Sequence, residues 1–124
     1  MGVFSNIFDL VKQNFTEKED GPYEIFFSNG VLKSKVFIKD NKRNGPWNVY
    51  FKSGRMSEIG TWKDNNLHGD WCRFYDLGIS GSIKREEGIF KNGKLDGVHT
   101  TYYKDGRIVQ QRLYKNGKYI KRIK

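Results

Sequence analysis

Runs of aromatic and β-branched residues alternate with glycine-containing polar turns along most of the chain. Four of these turns carry a glycine at the same place in the pattern, namely Gly30, Gly54, Gly78 and Gly106. Two such runs separated by Asn-Gly, Ser-Gly or Asp-Gly are typical of a β-hairpin. The pattern therefore predicts an all-β protein, an antiparallel meander of about eight strands built from four hairpins.

A repeat becomes visible when the chain is divided before four further glycines, Gly21, Gly45, Gly69 and Gly97. Their spacings are 24, 24 and 28 residues, because the third unit carries four extra residues near positions 80–85. The predicted organisation is an N-terminal helix and linker (1–20), four hairpin repeats (21–44, 45–68, 69–96 and 97–119) and a basic tail (120–124). Such repeats bury their apolar surface against their neighbours, so the four units are expected to form one sheet.

One face of the predicted strands has aromatic edges and a centre that becomes polar from repeat to repeat. Trp47 begins this face in the second repeat and Trp71 begins it in the third, because strand side chains alternate between faces. Arg73 interrupts the centre, and Glu58 lies nearby on a second strand. Two interpretations stay open: an ion pair between Glu58 and Arg73, or a shallow binding groove. The rim of that groove would consist of Trp47, Trp62, Trp71 and Tyr75.

The opposite face of the first strands is predicted to be mainly solvated. Between its aromatic residues it carries Glu24, Asn48, Cys72 and Thr100. Cys72 is the only cysteine, so neither an intramolecular disulfide nor a cysteine-based zinc cluster can form within the chain. Its expected role is that of a small buried hydrophobic residue.

The N-terminal segment has a different period. Its apolar residues fall at helical spacing and are Phe4, Ile7, Phe8, Val11 and Phe15. This spacing predicts an amphipathic helix that caps the sheet. Only Lys12 is basic within the helix, whereas helices that lie in a membrane surface usually have a polar face rich in lysine and arginine. Packing on the sheet is therefore favoured over a membrane anchor.

Composition limits the class of protein. With 124 residues the chain has the size of one domain, and its nine Phe, seven Tyr and three Trp compensate for an apolar fraction of 36%. No apolar run approaches the roughly 20 residues that span a bilayer, and no secretory signal pattern begins the chain. We therefore expect a cytoplasmic protein.

The net charge of +9 favours anionic partners, such as acidic proteins, lipid headgroups or nucleic acid. Basic residues gather at the carboxyl end, where they are Lys115, Lys118, Lys121, Arg122 and Lys124. Only Tyr114 and Tyr119 stand among them as aromatic residues on which bases could stack. Nucleic acid is accordingly disfavoured as a partner.

Candidate catalytic groups are few. His68 falls in a turn and His99 at a core-type position, so packing roles are favoured over metal binding or proton transfer. Glu86 and Glu87 would face opposite sides of a strand and are read as solvated charges. No phosphate-binding loop, nucleophile motif or dinucleotide fingerprint is present in the sequence. The sequence thus predicts no enzyme, no cofactor and no metal site.

The repeat unit Gly-x-Trp-x-x-Tyr/Phe-Tyr/Phe-x-x-Gly, with its aromatic-Lys-Asn/Asp link, resembles the MORN-type repeat and in particular the bacterial YwqK-like variant. The residues that carry the resemblance best are Gly45, Trp47, Tyr50, Phe51, Gly54, Trp62, Lys63 and Gly69. The chain departs from the pattern at His99, which replaces the tryptophan, and in the longer third unit. The resemblance implies an antiparallel sheet used for binding or assembly, and YwqK-like members are antitoxin-like.

We therefore expect a non-enzymatic protein-binding module, namely a bacterial antitoxin or immunity protein that neutralises an acidic toxin or effector by direct binding. Two alternatives are a peripheral module that binds anionic phospholipid and an assembly scaffold that self-associates through its sheet edges. The candidate partner-binding residues are Trp47, Glu58, Trp62, Trp71, Arg73, Tyr75, Lys84, Arg85 and Arg112.

Overall fold

The computed structural model describes residues 18–77 and 82–124, and all regular structure in them is β-strand. The strands are β1 (Gly21–Phe26), β2 (Leu32–Lys39), β3 (Lys42–Arg43), β4 (Gly45–Tyr50), β5 (Met56–Lys63), β6 (Asn66–Leu67), β7 (Gly69–Phe74), β8 (Lys84–Lys91), β9 (Lys94–Leu95), β10 (Gly97–Tyr102), β11 (Ile108–Lys115) and β12 (Lys118–Arg122). They form one antiparallel sheet, which confirms the all-β prediction. The predicted helix lies outside the described residues.

Four hairpins make up most of the sheet, and each joins a six-residue strand to an eight-residue strand. The hairpins follow one another in chain order, as the meander predicts. Four short strands are additional to the eight predicted ones. β3, β6 and β9 fold back on the preceding long strand for two residues each, and β12 pairs with β11. The predicted tail at 120–124 therefore begins inside a strand.

The links between hairpins are tight turns with left-handed backbone. In the first link Asp40 and Asn41 have φ of 50° and 62°, and in the third Asn92 and Gly93 have φ of 50° and 83°. Asn, Asp and Gly tolerate this region, which explains why the links are rich in them. Successive links are joined by backbone hydrogen bonds, since the Gly93 amide donates to the Leu67 carbonyl 2.8 Å away.

Every hairpin contains a bulge at the same place. In the first, Ile25 pairs with Ser34 and Phe26 with Leu32, so that Lys33 is the extra residue. The three other hairpins skip one residue equivalently. The longer third unit leaves this register intact, because the Tyr75 amide donates to the Ile83 carbonyl where the Phe51 amide donates to Arg55. The four extra residues of the third unit therefore fall between Tyr75 and Ile83 in the chain.

The hydrophobic core lies on the face that carries Trp47, Trp62 and Trp71, named here the tryptophan face. Val36, Ile38, Trp47 and Trp62 are its buried residues among those described. The opposite face carries Asn48, Cys72 and Thr100 and is named the groove face. The prediction that it is mainly solvated is wrong at Thr100, which is 3% exposed and accepts a hydrogen bond from Gln111. In the described part of the chain no helix could cross a bilayer.

Candidate binding surfaces on the two faces

A row of charged side chains crosses the tryptophan face. Glu58, Arg73 and Glu86 are direct neighbours on successive strands. The guanidinium of Arg73 lies 3.0 Å from Glu86 and 4.0 Å from Glu58, so the predicted pair exists but Glu86 is the closer partner. The Glu86 side chain is only 18% exposed, and its interpretation as a solvated charge is wrong.

Two ring systems complete this charged row. The Trp71 indole nitrogen donates to Glu58 at 2.7 Å, and His99 Nε2 lies 2.9 Å from Glu86. The His99 ring stacks on Trp71 at 6.3 Å between centroids. Each carboxylate thus contacts both Arg73 and one ring nitrogen. Charges satisfied by each other in this way hold the sheet together and leave little capacity for a ligand.

Two glycines make room for side chains of the tryptophan face. A Cβ at Gly60 would stand 3.3 Å from Trp71, and one at Gly88 would stand 3.1 Å from Leu95 and 3.3 Å from His99. Gly88 lies directly across from Trp71 in the ladder. Indole rings therefore lie across glycine positions on the neighbouring strand, which is a packing arrangement and not a turn requirement.

The predicted binding residues do not converge on one site. Trp47 and Trp62 are buried in the core, and Arg43 covers the Trp62 ring at 4.1 Å. Burial lowers the pKa of Arg43 from its ordinary value.

The remaining predicted residues are spread over the sheet. Tyr75 donates to the Tyr102 carbonyl at 2.7 Å at the hairpin end of the sheet. The others are distributed over both faces: Glu58, Trp71, Arg73 and Arg112 on the tryptophan face, Lys84 on the groove face, and Arg85 at the bulge.

An open groove of about 700 Å³ lies on the groove face and crosses the second, third and fourth repeats. Its apolar lining includes Pro46, Ile59, Phe74, Ile89 and Val98. Ile59, Ile89 and Val98 are 37–43% exposed, which is high for aliphatic side chains at the centre of a sheet. Polar groups of Asn48, Cys72, Thr100 and Gln111 lie between them. The groove was not predicted, because the polar residues between the aromatic ones on this face indicate a solvated surface.

Glu87 lies at the hairpin end of the groove and has two partners. Lys84 Nζ donates to it at 2.8 Å and the Tyr102 hydroxyl donates at 2.6 Å. These two hydrogen bonds, the one from Lys84 first, lower the pKa of Glu87 from its usual value. Burial and the bond to Glu87 raise the pKa of Tyr102.

The lowered pKa of Glu87 predicts a loss of stability in acid. A carboxylate with a depressed folded-state pKa contributes stability above its unfolded value of about 4.3 and loses it as pH falls through the folded value. Because the group is partly exposed, we expect the Glu87→Gln variant to lose less than about 1 kcal/mol at pH 7 and nothing near pH 2. Urea unfolding between pH 2 and pH 7 measures this difference in the free energy of unfolding, and the exposed Glu24→Gln variant is the control. An equal loss at both pH values would contradict the assignment.

Cys72 lies in the groove, where its thiol is 3.7 Å from the Arg73 carbonyl. Burial raises the pKa of the thiol to about 11. The thiolate is the reactive form, so the folded protein should react slowly with iodoacetamide at pH 7.5 and faster with a midpoint near pH 11. Mass spectrometry of timed samples measures the rate, and the urea-unfolded chain is the control. Equal rates for folded and unfolded protein at pH 7.5 would contradict the prediction.

Seven lysines stand in a row along the groove face at the end of the sheet where the links lie. This lysine row consists of Lys39, Lys42, Lys63, Lys91, Lys94, Lys115 and Lys118, all exposed. Lys39 is directly opposite Lys42, and the pairs 91/94 and 115/118 repeat the arrangement. Like charges directly opposite each other destabilise a sheet. In the described part of the chain only Lys115 of this row has a carboxylate within 4.0 Å, that of Asp96.

His68 accepts a hydrogen bond from the Asn92 amide at 3.3 Å and so connects two links. This contact agrees with the turn role expected from the sequence. Within residues 18–77 and 82–124 no group of three His, Cys, Asp or Glu side chains is arranged to hold a metal ion.

Comparison with protein families gives a match at two places in this sheet. The model of the MORN repeat variant matches residues 19–40 and 95–116. This chain carries MORN-type repeats. The first match covers the hairpin of β1 and β2, and the second covers that of β10 and β11. The second and third hairpins, which lie between the two matched ones, have the same strand lengths and the same bulge. A search of curated proteins found no match to the chain.

Proposed function

We propose that this MORN-type protein is a non-enzymatic binding module whose groove receives an acidic segment of another protein. The groove is the observation that carries the proposal, because it brings the exposed side chains of Ile59, Ile89 and Val98 together, with polar side chains among them. An apolar centre surrounded by a polar rim is the usual anatomy of a protein interface.

Charge indicates the kind of partner. Lys63 and Lys91 lie two residues after Thr61 and Ile89, which line the groove, and therefore share the groove face. The chain as a whole has a net charge of +9. Complementary charge at a rim speeds association and excludes partners of like charge. An acidic protein fits this surface better than a neutral or basic one.

The chemistry of the groove supports a binding role. Its thiol, Cys72, has a pKa of about 11 and is therefore protonated at neutral pH. Of the two carboxylates in its lining, Asp70 and Glu87, the second is engaged by Lys84 and Tyr102. Groups held in this way fix the shape of a surface and are poorly placed to take up or release a proton near pH 7.

The resemblance to YwqK-like proteins adds a finer form of the proposal, in which the acidic partner is a toxin that the chain neutralises by covering its functional surface. Purification of the tagged chain from its native host, in the presence of a cross-linker, tests both forms. Recovery of one acidic protein in near-equal amount supports the binding module, and a toxin encoded beside the gene supports the antitoxin form. Recovery of no protein, or of a basic one, would contradict the proposal.

The lysine row also favours a second candidate, a peripheral module on anionic membranes. Each lysine near an anionic surface contributes about 1 kcal/mol at physiological ionic strength. This candidate predicts salt-sensitive sedimentation with vesicles that contain phosphatidylserine. Absence of binding at low salt would remove it.

A further inference from the structure

The lysine row is arranged at the period of the repeat. Each repeat places a lysine at the last position of its second strand, at Lys39, Lys63, Lys91 and Lys115. Consecutive second strands are separated by one intervening strand, and neighbouring strands lie about 4.8 Å apart. The row therefore presents positive charge at intervals of about 10 Å over about 30 Å.

Side-chain packing within the sheet does not account for the row. In three of the four repeats a second lysine lies directly opposite the first. In the second repeat this position is occupied by Asn66. These positions bring like charges together where opposite charges would stabilise the sheet. The first lysine of each repeat belongs to the repeat pattern, but a solvated surface does not need a second lysine opposite the first in three of the four repeats. An external anion would relieve the repulsion.

We propose that the lysine row is the recognition element for an acidic polypeptide segment that crosses several repeats. This inference rests on the proposed function and deepens it, since it says which residues recognise the partner and that its charge must extend over about 30 Å. The segment bridges lysines of successive repeats, and its apolar side chains reach the adjacent groove at Pro46, Ile89 and Val98.

The neighbours of the row favour a polypeptide over other polyanions. The aromatic residues that immediately precede three of its lysines, Trp62, Phe90 and Tyr114, belong to the tryptophan face and are turned away from it. Phe37, two residues before Lys39, shares the face of the row, so an aromatic ring accompanies the row in the first repeat. Nucleic acids bound without sequence preference use aromatic rings beside the cations for stacking. Asp70 on the groove lining and Asp96 near Lys115 interrupt the positive surface. A polypeptide can place neutral side chains opposite these carboxylates, whereas a uniformly anionic bilayer cannot.

The test compares two matched double variants. Lys42→Ala with Lys94→Ala removes two charges from the row, and Lys52→Ala with Lys104→Ala removes two exposed charges from the hairpin end of the sheet. The probes are fluorescein-labelled dodecaglutamate and tetraglutamate, measured by fluorescence anisotropy. Dodecaglutamate reaches about 40 Å when extended and can span the row, whereas tetraglutamate reaches about 13 Å.

We expect the row variant to bind dodecaglutamate about tenfold more weakly than the wild type, and the control variant to bind it within about twofold. Dodecaglutamate should bind the wild type at least tenfold more tightly than tetraglutamate, because linked sites act together. The melting temperature of the row variant should stay equal or rise, since the change removes repulsion. A melting temperature that falls would show the lysines to be structural and would overturn the inference.

Two other polyanions are tested as alternative ligands of the row. Single-stranded DNA of 12 nucleotides and phosphatidylserine vesicles are measured at the same ionic strength with the same variants. The inference is overturned if either depends on the row while dodecaglutamate does not, or if both double variants lose the peptide equally. A native partner that binds the row variant as it binds the wild type overturns the inference and leaves the binding module standing. Failure to recover any partner counts against the proposed function, while the peptide result still decides the role of the row.

Discussion

Replacement of Trp71 by alanine is expected to lower the free energy of unfolding by about 3 kcal/mol, at the lower end of the range for large aromatic residues because the ring is only partly buried. The ring contacts Phe90 edge-on at 5.4 Å and stacks on His99. Its removal would open the space above Gly60 and Gly88 and would leave Glu58 without its indole donor. The melting temperature should fall by roughly 10 °C or more.

Trp71→Phe is the matched control, because it keeps an aromatic ring and removes the indole N–H. The hydrogen bond to the Glu58 carboxylate is then the main loss, and we expect a cost of about 1–2 kcal/mol. Urea unfolding of the three proteins gives the values. A cost below about 1 kcal/mol for Trp71→Ala would show that the tryptophan face does not hold the repeats together. Equal costs for both variants would assign the whole effect to the hydrogen bond.

The largest expected effect on binding comes from Ile89→Glu. Ile89 is 43% exposed in the groove, next to the lysine row, so the change should alter stability by less than about 1 kcal/mol. It replaces an apolar contact by a carboxylate that repels an acidic partner. We expect the affinity for the native partner to fall by about thirtyfold or more, as for a residue at the centre of an interface.

Phe26→Glu is the control for this change. Phe26 is 55% exposed on β1, which contributes no residue to the groove lining. Calorimetric titration of the purified partner with both variants and the wild type measures the affinities. Wild-type affinity in Ile89→Glu, or an equal loss in both variants, would show that the groove is not the interface.

Local rules account for the parts of the fold that could be predicted. All four hairpins could be predicted from the turn glycines and from the alternation of apolar and polar residues along the strands. Both signals depend only on a short segment, namely on φ at the turn and on the two-residue period of a strand. The pair of Glu58 and Arg73 followed from the repeat register. The same register could have found Glu86, which stands 28 residues after Glu58, the length of the longer third unit.

The parts that could not be predicted depend on how strands are placed beside each other. The alternation of side chains along the strand placed Thr100 on the correct face. The burial of Thr100, however, depends on the Gln111 side chain of the neighbouring strand. Trp47 was expected at the rim of a groove and is 6% exposed in the core. The lysine row required the short strands β3, β9 and β12, whose pairing puts the second lysine of a repeat opposite the first.

Photo-cross-linking in the native host tests most directly which face binds. A benzoylphenylalanine is placed at position 89 in the groove or at position 110 on the tryptophan face, and cross-linked products are identified by mass spectrometry. Binding through the groove predicts that residue 89 captures one acidic protein and that residue 110 does not. Capture of a protein from position 110 alone, or of the same proteins from both positions, would contradict it.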